Sequence, residues 1–194
     1  MKYTILGYLS SAPGSGYDLV QQLGGGLGWF WAASHSQIYP ELRRLESAGL
    51  ITGAATTVGE RLEKRVYSLT EAGLQDLLDW TRQKPEYRPS RDPERLQLLF
   101  SDNNDVETIR QHLQAHLDHF TERRDQVIDM RERILTGKHP RIQQRLKKKD
   151  AAERAKALLL CDLAYSGDVR RAELEISWAT EALARLDGLA GSEA

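Results

Sequence analysis

The 194-residue chain has one cysteine, Cys161, two methionines, three phenylalanines and almost no net charge, with 27 Lys or Arg against 28 Asp or Glu. A single thiol excludes an intrachain disulfide and fits a reducing compartment, which points to the cytoplasm. No apolar run approaches the roughly 18 residues that a membrane-spanning helix needs, so no membrane partner is expected. The opening MKYTILGYLSSA sets a lysine ahead of a short apolar patch, as a signal peptide does. That patch is minimal, and it reads better as the first helix of a domain. A net charge of −1 argues against binding nucleic acid through bulk charge, so any such contact depends on cations at particular positions. Catalytic signatures are missing as well. Without a glycine-rich phosphate loop, a GxSxG elbow or a cysteine cluster, no catalytic residue, no cofactor and no enzyme activity is expected. His112 and His116 lie one helical turn apart with His119 close by, but no cysteine or carboxylate pattern completes a set of ligands, so no metal site is expected either.

What is there is concentrated in Ser34 to Ile51, SHSQIYPELRRLESAGLI. Ile38, Leu42 and Leu45 recur at helical spacing and are expected to bury, which turns Ser36, Gln37, Tyr39, Arg43 and Arg44 outward. Ser34 or Ser36 can cap the start, and Pro40 near the first turn sets the helix at about 36–48, where Gly49 stops it. Two short apolar helices precede it, over Tyr3–Leu9 and about Gly16–Leu23, separated by a turn at Ala12-Pro13-Gly14-Ser15-Gly16 and broken at Gly24-Gly25-Gly26. An aromatic cluster, Trp29-Phe30-Trp31, follows. After the helix, Ile51–Thr57 and Arg65–Leu69 read as strands of a hairpin around a polar loop at 58–64. Thr70 then caps a helix from Glu71 to about Arg82, with Leu74, Leu77, Leu78 and Trp80 expected inward.

Three helices, a hairpin and a helix make a winged helix-turn-helix over residues 1–83. In that arrangement the helix at 36–48 enters the major groove and the wing at 51–69 reaches flanking DNA. Ser34, His35, Ser36 and Gln37 are the candidates for base edges, Gln37 by pairing with adenine. Tyr39, Arg43 and Arg44 suit backbone oxygens, and Arg61, Lys64 and Arg65 supply the wing's charge, diluted by Glu60 and Glu63. The first 80 residues carry six Lys or Arg against eight Asp or Glu, so the grip is expected to rest on geometry and on pairing of two subunits.

Residues 84–92 form a linker with Pro85 and Pro89, and a second domain runs over 93–189. Asp92 can cap a short helix through Phe100. From Asp105, Val106, Ile109, Leu113, His116, Phe120, Arg123, Val127, Met130 and Ile134 alternate at spacings of three and four. Ala155, Leu158, Asp162, Tyr165, Val169, Ala172, Ile176, Ala179, Leu183 and Leu186 do the same, with Asp162 the one charge. Seams kept over about four heptads mean long helices packed at shallow angles. The fold class is therefore mainly α with a small β-hairpin wing, a winged helix-turn-helix joined to a C-terminal antiparallel long-helix dimerisation domain. Two helices leave an apolar face over, which the same hairpin of a second subunit or the winged domain would cover; a two-fold dimer would bring two reading helices to palindromic half-sites on double-stranded DNA. Between the seams, Gly137–Lys149 holds six Lys or Arg and no acid. That run reads as a solvated connection, with an auxiliary DNA-backbone contact as the second reading.

The segments GYDLVQQL, WFWAASHSQIYPELRRLESAGLI and KRVYSLTEAGLQDL resemble the PadR family of bacterial transcriptional regulators. Gly16-Tyr17, Gln37-Ile38-Tyr39-Pro40, Leu42, Leu45, Gly49-Leu50 and the ending Tyr67-x-Leu69-Thr70-x-x-Gly73 carry the resemblance, in order and spacing. The resemblance implies a homodimeric, ligand-responsive repressor working on the nucleoid, with a helical dimerisation domain and a phenolic or other aromatic, planar effector. Trp29, Trp31, Tyr165 and Trp178 are the candidates to line an effector cavity. The alternative is a winged-helix protein-interaction module that dimerises but has lost DNA binding.

Overall fold

The computed structural model describes residues 1–23, 30, 35–58, 62–87 and 91–190. Trp29, Trp31, Ser34 and Arg61, and the expected break at Gly24-Gly25-Gly26, lie outside the described residues. The chain divides into two units, Met1–Pro85 with Gly137–Arg154, and Glu86–Thr136 with Ala155–Ala194. No helix among the described residues is long and apolar enough to cross a membrane.

In the first unit, α1 (Lys2–Leu9), α2 (Gly16–Leu23) and α3 (His35–Ser47) each bury one apolar stripe. Ile5, Leu6, Leu19, Ile38, Leu42 and Leu45 are wholly or almost wholly removed from water, and Ile51 and Tyr67 close the same core from the sheet. Each such Leu or Ile contributes about 1.5–3 kcal/mol of burial, which is why short helices of weak intrinsic stability hold here. α2 starts on a capping box, with the Ser15 amide donating to Asp18 Oδ2 at 3.0 Å and the Asp18 amide donating to Ser15 Oγ at 3.2 Å. α3 ends in a Schellman turn. Gly49 takes φ +71°, the Leu50 amide reaches the Leu45 carbonyl at 3.0 Å, and the Gly49 amide reaches Glu46 at 3.0 Å.

The sheet has three antiparallel strands in the order β1 (Gly14–Ser15), β3 (Leu62–Leu69), β2 (Ile51–Val58). The hairpin runs in register from Ile51 opposite Leu69 to Val58 opposite Leu62, longer than its apolar stretches alone imply because backbone pairing continues through the polar residues. β1 falls where a plain turn was expected. Two residues carry no periodicity, and only their pairing with Val66 and Tyr67 makes them a strand. α4 (Glu71–Arg82) begins at Thr70, whose Oγ1 accepts from the Gly73 amide at 3.0 Å and donates to the Gly49 carbonyl at 2.8 Å. Of its four residues expected inward, Leu77 packs on the core, whereas Leu74 is 42% and Leu78 40% exposed. Trp80 stays 45% exposed while stacking on Tyr3 at 4.4 Å between ring centroids. The reason is the closeness of the helix start, where Gly73 lies on the Leu50 carbonyl and sets which face turns in.

The second unit holds α5 (Pro93–Leu99), α6 (Val106–Leu135) and most of α8 (Ala151–Ala190), with Asp92 and Asp105 capping α5 and α6 through the amides of Arg95 and Thr108. The ion pairs Arg110–Asp187, Arg123–Asp168 and Arg131–Asp162 show one residue number rising as the other falls, so α6 and α8 are antiparallel. The seams hold at Leu113, Val127, Ile134, Tyr165, Ala172 and Ala179, all buried, and fray at exposed Val106 and Ala155. Asp168, outside both seams as read, is buried as well. Arg123 Nη2 lies 3.0 Å from each of its carboxylate oxygens and balances the charge. α7 (Pro140–Leu146), in the run read from sequence as a solvated inter-helix loop or helix end, is a short helix and groups with the first unit, so the two compact units interleave along the chain.

Candidate nucleic-acid interface and ligand cavity

α3 sorts its residues as its spacing requires. Ile38, Leu42 and Leu45 lie against the core, and Ser36, Gln37, Tyr39, Arg43 and Arg44 are exposed. His35 opens the helix, and its side chain lies outside the described residues. Pro40 falls inside α3, where its lack of an N–H removes one helical hydrogen bond. Tyr39 explains the glycine of the Gly16-Tyr17 pair, because a Cβ on Gly16 would sit 2.6 Å from Tyr39 Cε1. The start of α2 and the exposed face of α3 therefore meet at one point.

The cations are less available than their exposure suggests. Arg44 donates from Nε and Nη2 to the two carboxylate oxygens of Glu41, each at 2.7 Å. Lys64 Nζ lies 3.1 Å from Asp18, and Arg65 Nη2 lies 2.6 Å from Glu46, which also accepts from the Gly53 amide at 2.9 Å. Among the described residues of α3 and the wing, Arg43 is the cation with no ion-pair partner. Glu46 thereby ties the end of α3 to both strands of the wing. Burial opposes ionisation of Asp18, but the amide and hydroxyl of Ser15 and the ammonium of Lys64 together hold its carboxyl below the usual range. The Arg65 guanidinium does the same for Glu46. A carboxyl with a depressed folded-state pKa contributes stability that is present above its unfolded value and lost as pH falls through its folded value. The Gly53 amide shift is therefore expected to titrate below the ordinary glutamate value of about 4.3. An inflection at or above that value would contradict the clamp.

Sequence reasoning missed these three acidic partners. Glu41–Arg44 was legible at i,i+3, and Ser15-x-x-Asp18 was legible as a capping box. Glu46–Arg65 joins a helix end to a strand and left no local signal.

In the second unit, α5, α6 and α8 line a half-open cavity of about 470 Å³, within the usual size for small-molecule sites. Its walls include Trp178, Phe120, Leu98, His112, His116 and Arg95. The Arg95 guanidinium stands 4.5 Å from the centre of the Trp178 ring and donates to Glu175 at 2.6 Å, and His116 Nε2 faces the same carboxylate at 3.2 Å. His116 is also edge-on to Trp178 at 5.1 Å. His112 Nδ1 is buried with no hydrogen-bond partner, leaving one polar atom unsatisfied in a wall of rings. Of the four aromatic residues named from sequence as effector-site candidates, Trp178 lines this cavity. Tyr165 is buried elsewhere in the unit, its hydroxyl pushed up to about 12 by burial and so neutral. The histidines drew attention only for their metal-like spacing; among the described residues no group of three or more His, Cys, Asp or Glu is arranged to hold a metal ion.

Comparison with known proteins places both units. Residues 5–79 match the transcriptional regulator PadR-like family, and residues 90–187, half of the chain, match the family described as virulence activator alpha C-term. The chain is 50% identical over 80 residues to the negative transcriptional regulator PadR of Bacillus subtilis (strain 168), an alignment covering 41% of this chain and 44% of that protein. The chain thus matches less than half the length of that relative in sequence. Its fold is similar to Bacillus subtilis PadR in complex with operator DNA, with a TM-score of 0.74 and 28% identity over 95% of this chain and 96% of that one. It is also similar to Bacillus subtilis PadR in complex with p-coumaric acid, with a TM-score of 0.63 and 28% identity over 96% and 94%. A winged helix-turn-helix with these motifs, followed by a long-helix domain of this type, places the chain in the PadR-like family of transcriptional regulators.

Proposed function

We propose that this chain is a homodimeric DNA-binding repressor that reads palindromic half-sites in the major groove with α3 and flanking DNA with the wing. The observation that carries the reading is the division of α3 into a sealed face and a face presenting Ser36, Gln37, Tyr39, Arg43 and Arg44. Gln37 near the helix start suits an adenine edge, and Arg43 suits a phosphate. Arg44, Lys64 and Arg65 contact phosphate only by leaving Glu41, Asp18 and Glu46, which keeps affinity for arbitrary DNA modest. Ser34 and Arg61 lie outside the described residues, and with His35 they complete the set of DNA contacts proposed from the sequence. The protein would act on the nucleoid in the cytoplasm.

The cavity of the second unit is the place for a small aromatic effector, and the p-coumaric acid complex of the Bacillus subtilis relative supports that class of compound. An effector acts by binding one arrangement of the dimer better than the other, drawing the reading helices away from the half-site spacing. A mobility-shift assay on the DNA upstream of the chain's own gene, with p-coumaric acid as probe, tests both parts. Gln37→Ala with Arg43→Ala is expected to abolish the shift. Trp178→Ala is expected to leave it intact and make it insensitive to the acid. Unchanged binding in the first variant would favour the interaction-module reading, and a retained response in the second would move the effector elsewhere.

A further inference from the structure

The near-zero net charge of the chain conceals an uneven division between the units. Residues 1–85 carry eight Lys or Arg against eight Asp or Glu. Residues 137–154, which belong to the same unit, carry seven against two, and the second unit carries twelve against eighteen. The cationic excess of the winged unit thus comes entirely from the segment around α7.

Arg141 fastens this segment to the winged fold. Arg141 Nη1 donates to the carbonyls of Ala12 at 2.7 Å and Tyr8 at 3.2 Å, and its guanidinium carbon stands 3.4 Å from the centre of the Tyr8 ring. A Cβ on Gly14 would meet Arg141 Nη2 at 2.6 Å, so the glycine makes room for the guanidinium. The strip 13–18 that receives Arg141 also meets Tyr39 of α3 at Gly16 and Lys64 of the wing at Asp18. Three elements converge on six residues, two of them the reading helix and the wing. On the third, Lys138, Lys147 and Lys148 are exposed and, among the described residues, enter no ion pair, unlike the wing's Lys64 and Arg65.

We infer that the segment 137–149 is a third DNA-contacting element of the winged unit, with Arg141 as its anchor and Lys138, Lys147 and Lys148 facing backbone phosphates. This inference rests on the reading that the chain binds DNA. The three lysines lie on an irregular connection around a short helix, a geometry suited to phosphates and not to base edges. They add affinity without sequence preference.

The test is the salt dependence of binding by the full-length protein, measured by fluorescence anisotropy on its upstream duplex and on a duplex of unrelated sequence. Each phosphate contact contributes about 0.9 to the slope of log affinity against log salt. A variant carrying Lys138→Ala, Lys147→Ala and Lys148→Ala is expected to lose between two and three, about, from that slope on both duplexes. Its preference between the duplexes should stay the same and its thermal midpoint should not move. Arg141→Ala, which keeps every lysine, is expected to lower the slope as well by releasing α7. A wild-type slope in the triple variant overturns the inference while leaving the DNA-binding reading intact. A wild-type protein with no salt-dependent binding overturns that reading itself, and this inference with it.

Discussion

Gly73→Ala is expected to unfold the winged unit or reduce its stability to the point that little folded protein is recovered. By helix propensity alone the change should help, since alanine exceeds glycine by about 1 kcal/mol in a helix. At Gly73 the added carbon would overlap the carbonyl oxygen of Leu50 and meet Leu69 Cδ1 at 2.8 Å. The leucine tip can give way, but the carbonyl cannot. It is the acceptor for the Thr70 amide at 3.2 Å, and Thr70 in turn caps α4 and binds the Gly49 carbonyl. Overpacking that side chains can absorb costs about 1–3 kcal/mol, and a displaced backbone junction costs more, against a whole-domain stability of about 5–15 kcal/mol. Gly7→Ala is the control. That glycine is also helical and has nothing within 4 Å of a built Cβ, so the same substitution is expected to stabilise by roughly 0.5–1 kcal/mol. Thermal denaturation followed by circular dichroism reads both signs. A folded Gly73→Ala protein with an unchanged midpoint would mean that α4 does not sit on the Leu50 carbonyl.

The second large effect concerns assembly. Leu160→Glu with Leu163→Glu is expected to leave the subunit helical, convert it to a monomer and reduce operator affinity by a hundredfold or more. Leu159, Leu160, Leu163 and Leu174 of α8 are each more than half exposed in the single chain, as are Leu96, Leu99 and Phe100 on and just after α5. A two-fold copy is the economical cover for an exposed leucine stripe along a long helix. Leu160, Leu163 and Leu174 follow the three-and-four spacing of a helix-packing stripe, on a face of α8 that the inward seam does not use. Glutamate is a good helix former, so the substitution acts on the face and not on the helix. Joining two half-site contacts in one particle raises apparent affinity by about 10²–10⁴, and a monomer forfeits that gain. Sedimentation equilibrium measures the first consequence and anisotropy on the operator the second. A double variant that remains dimeric would place the subunit contact elsewhere.

How far such features could be read from sequence depended on how local their causes are. α3 was legible nearly to the residue because a buried stripe, a glycine stop and a polar start lie within fourteen positions. The caps at Thr70 and Asp92 were legible for the same reason, each acting three residues ahead. The antiparallel pairing of α6 and α8 followed from two long seams, although Asp168 was missed because its burial depends on Arg123, 45 positions away. β1 was illegible because two residues have no period. The exposed Leu74 and Leu78 were misjudged because the orientation of α4 is decided by one glycine on one carbonyl, not by the pattern along the helix. The interface charges were misjudged in the same way. Counting cations over the first 80 residues made the winged domain slightly acidic, and its basic segment lies past residue 136 in the chain. The cavity was half seen, through Trp178 and the histidines separately, because only the packing of three helices puts them on one wall.

The central claim, a dimer presenting two copies of α3 to one face of DNA, is tested most directly by hydroxyl-radical footprinting of the purified protein on the DNA upstream of its own gene. The expected footprint has two protected half-sites related by two-fold symmetry, their centres about 10 base pairs or a multiple of that apart. Protection should disappear in Gln37→Ala with Arg43→Ala. A single unsymmetric protected patch, or uniform protection that the double variant leaves unchanged, would contradict the account.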